Sequence, residues 1–282
     1  LYVNNSASGS QITSLTDVQY KLWIQDGGTV TNMQFNFAEA SLEYTPPTGF
    51  KALSTANLPT PTISDGSKYF DTKLWTGNDT DGRAITGYNF SPDLVWIKSR
   101  SGAYSHNITD TVRGVGNFIQ SNTTDVEVDG PGAFGSTLAF TSDGFTLDNG
   151  TSDNLYVNAG SETYAGWAWE ANGSGSSNTD GSVTSTVSAN TTAGFSICKF
   201  NPGGNSNITF GHGLGVAPRL VLVKNLEDTT NWQVLHLDQG VGNKLFLNTT
   251  AAAASDANMW QNTAPTSSVV SVIFGILRVF QK

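Results

Sequence analysis

The chain has 282 residues, a formal net charge of −9 and only 13% charged residues, about half of the usual share. Fourteen Lys and Arg against 23 Asp and Glu exclude a basic nucleic-acid-binding surface, and a single cysteine excludes an internal disulfide framework. No apolar run is long enough for a membrane-spanning helix, while abundant Gly, Ser, Thr and Asn with 11% aromatic residues favour an all-β protein.

Residues 1–50 form the first predicted unit. Alternating apolar residues at 20–24 and 33–37 flank an Asp-Gly-Gly turn, which predicts a β-hairpin. Two strands are too few for a domain, so we expect this unit to be the end of a β-sandwich that begins upstream. The chain starts with Leu1 rather than Met, and we interpret it as a piece of a longer or processed polypeptide. A Pro-rich stretch within 51–68 then predicts a stiff linker.

An internal repeat is the strongest signal in the rest of the chain. Residues 69–124 align without a gap with residues 195–250, and Pro92–Lys98 falls on Pro218–Lys224. The coinciding residues are glycines, a proline and apolar residues of strand type, so a fold is repeated rather than an active site. Each copy is predicted to form strands, and residues 94–97 and 220–223, which follow a proline, are apolar on both faces.

The two copies end differently. Thr163–Trp169 alternates and predicts the closing strand of the first copy, whereas the apolar residues 273–282 match nothing in that copy. We expect a neighbouring subunit to cover this tail. The predicted fold is a tandem of antiparallel β-sandwich modules of jelly-roll or lectin-like type, joined by Pro-rich and Gly/Ser-rich linkers. Its parts are a sandwich end (1–50), a linker (51–68), repeat 1 (69–170), a loose polar linker (171–193) and repeat 2 with an atypical end (194–282).

Residues with reactive side chains form no recognisable catalytic pattern. The three histidines, His106, His212 and His236, do not coincide between the copies, so a surface or loop position is expected for each. Cys198 lies within a predicted strand and is interpreted as a buried, inert thiol. Asn78–Gly82 resembles part of a calcium loop but lacks the downstream glutamate, which favours a plain turn. We therefore predict no catalytic residue, no metal ligand and no cofactor.

The seven tryptophans are the best candidates for ligand contact, because indole rings stack on sugar faces. Trp232 and Trp260 stand among Asn, Thr and Gln residues, and Trp75 precedes a polar turn. We predict that these three bind glycan, and we assign Trp96, Trp167 and Trp169 to the core.

Three strings resemble a known family. Residues 44–59, Tyr69–Asn78 and Phe90–Arg100 are similar to segments of bacteriophage virion proteins common in marine phages. In that family a SPRY-like, concanavalin-type β-sandwich precedes the first string, and modules with the Pro-Asp-Leu-Val-Trp-Ile-Lys motif follow. The resemblance covers roughly residues 30–270 and implies a fibre or appendage of the extracellular particle that contacts the host. It transfers no catalytic residue, and residues 273–282 depart from the family pattern.

Three functions remain open from the sequence. The first is a structural and adhesive virion protein, such as a tail fibre, that binds host-surface glycan. The second is a purely structural head fibre, decoration or connector protein, and the third is a glycan depolymerase with a carboxylate pair in a groove. For the fibre we expect a homotrimer that contacts other virion proteins, because such assembly covers apolar tails and sheet edges.

Overall fold

The computed structural model describes residues 60–273, the single residues 48 and 58, and two short strands near the N-terminus. The chain divides into two compact units, Leu1–Thr62 and Ile63–Lys282. In the first unit, β1 (Tyr2–Val3) and β2 (Ser6–Ala7) pair antiparallel. Nearly all of the predicted sandwich end at 1–50, residues 51–57 and 59 of the predicted linker at 51–68, and the tail beyond residue 273 lie outside the described residues.

The first half of the second unit consists of two antiparallel sheets. One sheet has the order β3-β9-β5-β6 and the other has the order β4-β8-β7. The strands are β3 (Phe70–Thr76), β4 (Ala84–Thr86), β5 (Leu94–Ser99), β6 (Asn107–Asp110), β7 (Ser136–Thr141), β8 (Gly144–Asp148) and β9 (Thr163–Trp169), preceded by a 3-10 helix at Gly66–Lys68.

These two sheets share one apolar core. Val95 and Ile97 project from β5 and are fully buried, as is Phe145 from β8. Gly166 lies in the middle of β9, where a Cβ atom would come within 2.9 Å of the Trp75 ring. The glycine therefore allows an aromatic side chain of β3 to pack against the backbone of the neighbouring strand.

The second half contains three smaller sheets, with the orders β10-β11-β12, β13-β18 and β14-β15-β16-β17. Every named strand pair in the described part of the chain is antiparallel, which confirms the prediction of an all-β protein. The strands are β10 (Ser176–Asn178), β11 (Ser185–Asn190), β12 (Phe195–Phe200), β13 (Asn207–Gly211), β14 (Leu220–Val223), β15 (Gln233–His236), β16 (Asn243–Phe246), β17 (Ala254–Ser255) and β18 (Val269–Ile273), with a 3-10 helix at Leu237–Gln239.

The segment 171–193, predicted to be a loose linker, instead contributes β10 and β11. Its Ser-rich composition is typical of loops, but the serines bond the backbone of neighbouring strands. Ser185 Oγ donates to Gly211 O at 2.8 Å, and Ser188 Oγ accepts from the Asn172 N–H at 2.7 Å. Val187 supplies a buried apolar contact, so pairing with β12 decides the structure of this segment.

Candidate binding cleft

The three tryptophans predicted to bind glycan are buried, which corrects that prediction. Trp75 is 8% exposed, Trp232 is 5% exposed and Trp260 is 0% exposed. A buried indole cannot offer its face to a sugar, so none of the three forms a glycan-stacking surface in this structure. Trp75 instead stacks on Tyr164, with ring centroids 5.6 Å apart, and its Nε1–H donates to Val157 O at 3.0 Å.

Trp232 joins the two halves of the unit. Its Nε1–H donates to Gln120 O at 2.8 Å, and its ring packs with Ile108 and Ile119 of the first half. Backbone bonds run beside it, from the Glu127 N–H to Leu226 O at 2.9 Å. The halves are therefore held by a buried aromatic anchor together with backbone hydrogen bonds.

The polar neighbours of these tryptophans misled the sequence prediction because they bond the backbone rather than a ligand. Asn248 Oδ1 accepts from the Trp232 N–H at 2.9 Å. Gln261, next to Trp260, donates to Ile208 O and Val272 O at 2.9 and 3.0 Å. Amide side chains next to a tryptophan in the sequence thus belong to a hydrogen-bond network that holds strands together. Their presence does not indicate whether the tryptophan is exposed.

An open cleft of about 1260 Å³ lies between the two halves. Leu94, Trp96 and Trp169 line it from the first half, and β12 and β14 line it from the second. Trp169 stacks on Phe195 of β12, with ring centroids 5.9 Å apart and planes inclined by 22°. Trp96 and Trp169, which the sequence analysis assigned to the core, are thus half-buried residues of the cleft.

The cleft walls are mainly apolar, and some of them are exposed. Val216, Leu220 and Leu222 have exposed fractions of 60%, 55% and 40%. Leu220 and Leu222 alternate with the more buried Val221 and Val223 along β14. Since this face combines exposed leucines with a strand edge, it suits an extended apolar chain better than a polar ligand.

A buried ion cluster borders the cleft, which Asp110 and Arg113 help to line. Arg113 Nε lies 2.5 Å from Asp110 Oδ2, and Arg113 Nη1 lies 2.9 Å from Glu127 Oε1. Its Nη2 donates to Ile108 O at 2.9 Å. The side chains of Arg113 and Asp110 are 6% and 4% exposed, so the guanidinium is occupied by protein groups rather than offered to a ligand.

A pair of carboxyl groups marks the junction between β9 and the second half. Asp93 accepts the N–H groups of Ala171 and Gly173 at 2.7 and 3.1 Å. Burial, followed by the nearby Asp93 carboxylate, raises the pKa of Glu170, which accepts a hydrogen bond from Asn190. Both carboxyl groups thus fasten the junction, which is a structural use of the pair.

Cys198 lies on β12 and lines the cleft. Burial raises the pKa of its thiol to about 11, so the thiol is protonated at neutral pH and is a weak nucleophile. This agrees with the interpretation of an inert thiol, although the residue is only partly buried.

The histidines differ in their surroundings. His212, predicted at the surface or in a loop, lies in the loop that follows β13, but it is buried there with 3% exposure. Its Nδ1 accepts from the Leu214 N–H at 3.2 Å and its Nε2 lies 3.3 Å from Thr266 O, an arrangement that suits a neutral ring. His106 Nδ1 accepts from Trp96 Nε1 at 3.0 Å and lies 2.8 Å from Ser121 Oγ.

We expect the protein to lose stability as the pH falls from 7.5 to 5.5. Burial lowers the pKa of both His106 and His212 below the ordinary value of 6.5. The unfolded chain therefore takes up protons at a higher pH than the folded chain, and acid favours unfolding by up to about 1.4 kcal/mol per histidine and pH unit. Urea unfolding at several pH values measures this slope, and His212→Gln should make it shallower. A free energy of unfolding that increases as the pH falls from 7.5 to 5.5 would contradict the lowered pKa values of the two histidines.

Within residues 60–273, no group of three or more His, Cys, Asp or Glu side chains is placed to hold a metal ion. No helix in that part of the chain is long and apolar enough to cross a membrane.

Comparisons with known proteins identify a family to which the chain is similar. No curated protein and no solved structure matches the chain. The model of a family described as a domain of unknown function, DUF7483, matches residues 65–277 and therefore covers both halves of the second unit. The chain belongs to the DUF7483 family.

Proposed function

We propose that this chain is a non-enzymatic structural and adhesive component of a phage virion, part of a tail fibre or similar appendage. The resemblance of 44–59, Tyr69–Asn78 and Phe90–Arg100 to virion proteins supports this assignment. The low charge, the single cysteine and the all-β structure suit an extracellular fibre assembled in a reducing cytoplasm.

The two halves of the second unit are interpreted as tandem β-sandwich modules. Strands recur at aligned positions of the internal repeat: β6 aligns with β15 over its whole length, and β5 aligns with β14 over four residues. Each half has its own apolar core. Strands at repeated positions and a separate core in each half favour two tandem modules over a single larger fold.

The joint between the halves is the observation that carries the proposal. Trp232 is buried against the first half, and both carboxylate oxygens of Asp93 hold the backbone that leads into the second. Such a joint resists bending between modules, which is what an appendage under mechanical load requires. A homotrimer and contacts with other virion proteins belong to the same proposal, because they would cover exposed sheet edges.

Adhesion needs a different surface from the one that the sequence analysis predicted. Phe70 and Leu74 project from β3 with exposed fractions of 42% and 62%, and Phe70 contacts the Trp169 ring at a centroid distance of 4.9 Å. This face is our revised candidate for contact with host-surface glycan. The burial of Trp75, Trp232 and Trp260 favours the second candidate function, a purely structural connector or decoration protein.

Two measurements on the phage that encodes the chain test these functions. We expect mass spectrometry and immunogold labelling of purified virions to place the protein on an appendage in several copies. Its absence from particles, while it is present in the lysate, would refute the virion assignment. If the protein binds the host surface, adding the purified protein to host cells first should slow the adsorption of phage particles. Labelling of the particles without any effect of the purified protein on adsorption would favour the purely structural role.

A further inference from the structure

β3 is the outermost strand of the sheet β3-β9-β5-β6, and no described residue pairs with its outer edge. Two backbone bonds at its ends show which of its residues bond to β9. The Glu170 N–H donates to Tyr69 O at 2.9 Å, and the Gly77 N–H donates to Glu162 O at 2.7 Å. Because residues of an antiparallel pair alternately face the partner and turn away from it, the even-numbered residues direct their N–H and C=O groups to the outer edge. Among them are Phe70, Thr72 and Leu74.

Residues 70–74 form the open part of this edge. Beyond them Thr76 O accepts a hydrogen bond from Arg83 Nη1, so the edge is occupied at that point. Phe70 and Leu74 lie on the outer face of the sheet and have exposed fractions of 42% and 62%. An exposed apolar strand edge of this kind is a template for another strand.

Two charged residues on the opposite face restrict which strand can pair here. Lys73 Nζ lies 2.7 Å from Asp71 Oδ2, and both side chains are 29% exposed. The Thr72 N–H, which faces the open edge, donates to Asp71 Oδ1 at 2.7 Å. Charged residues on an edge strand generally prevent pairing with another strand. A partner strand must therefore offer a cation opposite Asp71 and a carboxylate opposite Lys73.

A second copy of β3 meets this requirement in one register. When two copies run antiparallel with Thr72 opposite Thr72, Asp71 of each copy lies opposite Lys73 of the other. A register centred on Asp71 would oppose two carboxylates, and a register centred on Lys73 would oppose two ammonium groups. Registers centred on Phe70 or Leu74 place an uncharged residue opposite each charge. The charge pattern thus favours a second copy as the partner, with Thr72 at the centre.

We propose that two copies of the chain pair through β3 about a two-fold axis at Thr72, so that two four-stranded sheets become one continuous sheet. Phe70 then lies opposite Leu74 of the second copy, and Asp71 turns from the Thr72 N–H to Lys73 of the second copy. Pairing at an edge leaves the outer face open, so the candidate glycan faces of the two copies lie side by side. A three-fold assembly would use a different surface, and the two contacts together would give a hexamer.

Reversal of the charges tests this contact in the full chain. We expect sedimentation equilibrium to show twice the mass of one chain. Asp71→Lys and Lys73→Asp each place like charges opposite one another, so each should raise the dissociation constant at least about tenfold. An equimolar mixture of the two variants should restore association. In that mixture one chain is basic at both positions and the other is acidic at both.

Lys244→Asp is the matched control for the charge reversals. Lys244 Nζ lies 2.9 Å from Asp256 Oδ2, and the two side chains have exposed fractions of 30% and 22%, close to those of the β3 pair. This variant should leave the dissociation constant unchanged. A full chain that stays monomeric up to about 1 mM would overturn the proposal. So would an assembly that both reversals leave intact, or a mixture that associates no better than the single variants.

Cross-linking gives a second readout that does not depend on charge. In a Cys198→Ser chain, Thr72→Cys places its thiol beside that of the second copy, and oxidation with copper phenanthroline should produce covalent dimers. Leu74→Cys lies on the same face of β3, but the proposed register separates it from its copy by four residues, or about 13 Å. It should therefore form few dimers. Equal cross-linking of the two variants, or none in the Thr72→Cys chain, would refute the two-fold axis at Thr72.

Discussion

Replacing Arg113 by methionine is expected to lower the free energy of unfolding by about 3–5 kcal/mol. The guanidinium contacts Asp110 and Glu127, and it also donates to Ile108 O. Methionine keeps much of the side-chain volume but leaves the carboxylates of Asp110 and Glu127, with exposed fractions of 4% and 19%, without their counterion. Uncompensated buried charge is among the largest single penalties in a folded protein. Equilibrium urea unfolding of both proteins measures the difference.

Arg219→Met is the matched control for this measurement. Arg219 also pairs with an aspartate, Asp238, but the two side chains are 70% and 61% exposed. Solvent screens such a pair, so its loss should change the stability by at most about 1 kcal/mol. Equal effects of the two substitutions would mean that the Arg113 cluster is solvated in solution and would contradict its buried geometry.

Trp260→Ala is expected to cost about 3–5 kcal/mol of unfolding free energy, because it opens a large cavity. Trp260 is fully buried in the core of the second half, together with Phe210 and Val272. Its Nε1–H has no hydrogen-bond partner in the described part of the chain. Phenylalanine removes that unpaired donor and leaves a smaller cavity, so Trp260→Phe should cost clearly less than the alanine substitution.

Leu138→Ala serves as the control for Trp260, because Leu138 is a large apolar residue with 46% exposure and lies outside the candidate glycan face. Its substitution should change stability by no more than about 0.5 kcal/mol. Thermal and urea unfolding distinguish the two sites. A Trp260→Ala protein that keeps its stability but loses affinity for host glycan would restore the sequence-based prediction and overturn the buried assignment.

Local sequence patterns predicted those strands that contain an apolar run after a proline or a clear alternation of side chains. Apolar residues preceded by a proline indicated strands near 94–97 and 220–223, and β5 and β14 cover them. The alternation at Thr163–Trp169 coincides with β9. These predictions depend on side-chain alternation and on proline, which act within a few residues.

Burial was the property that sequence reasoning handled poorly. Trp260 was predicted to be exposed and is fully buried, while Trp169 was assigned to the core and lines the cleft. Neighbouring residue types indicate polarity along the chain, but exposure depends on which distant strand covers a side chain. Ser185 illustrates the same limit. The sequence around it is typical of loops, but the residue belongs to a strand because it pairs with β12 and bonds to Gly211 O.

The sequence by itself determined the all-β class, the positions of several strands such as β5, β9 and β14, and the internal repeat, because strand propensity, turn residues and side-chain alternation act locally. Only the tertiary structure decided how the strands combine. The joint at Trp232, the Arg113 cluster and the cleft between the two halves each depend on residues far apart in the chain. Contacts of this kind depend on packing and on the pairing of distant strand edges, neither of which a local pattern encodes.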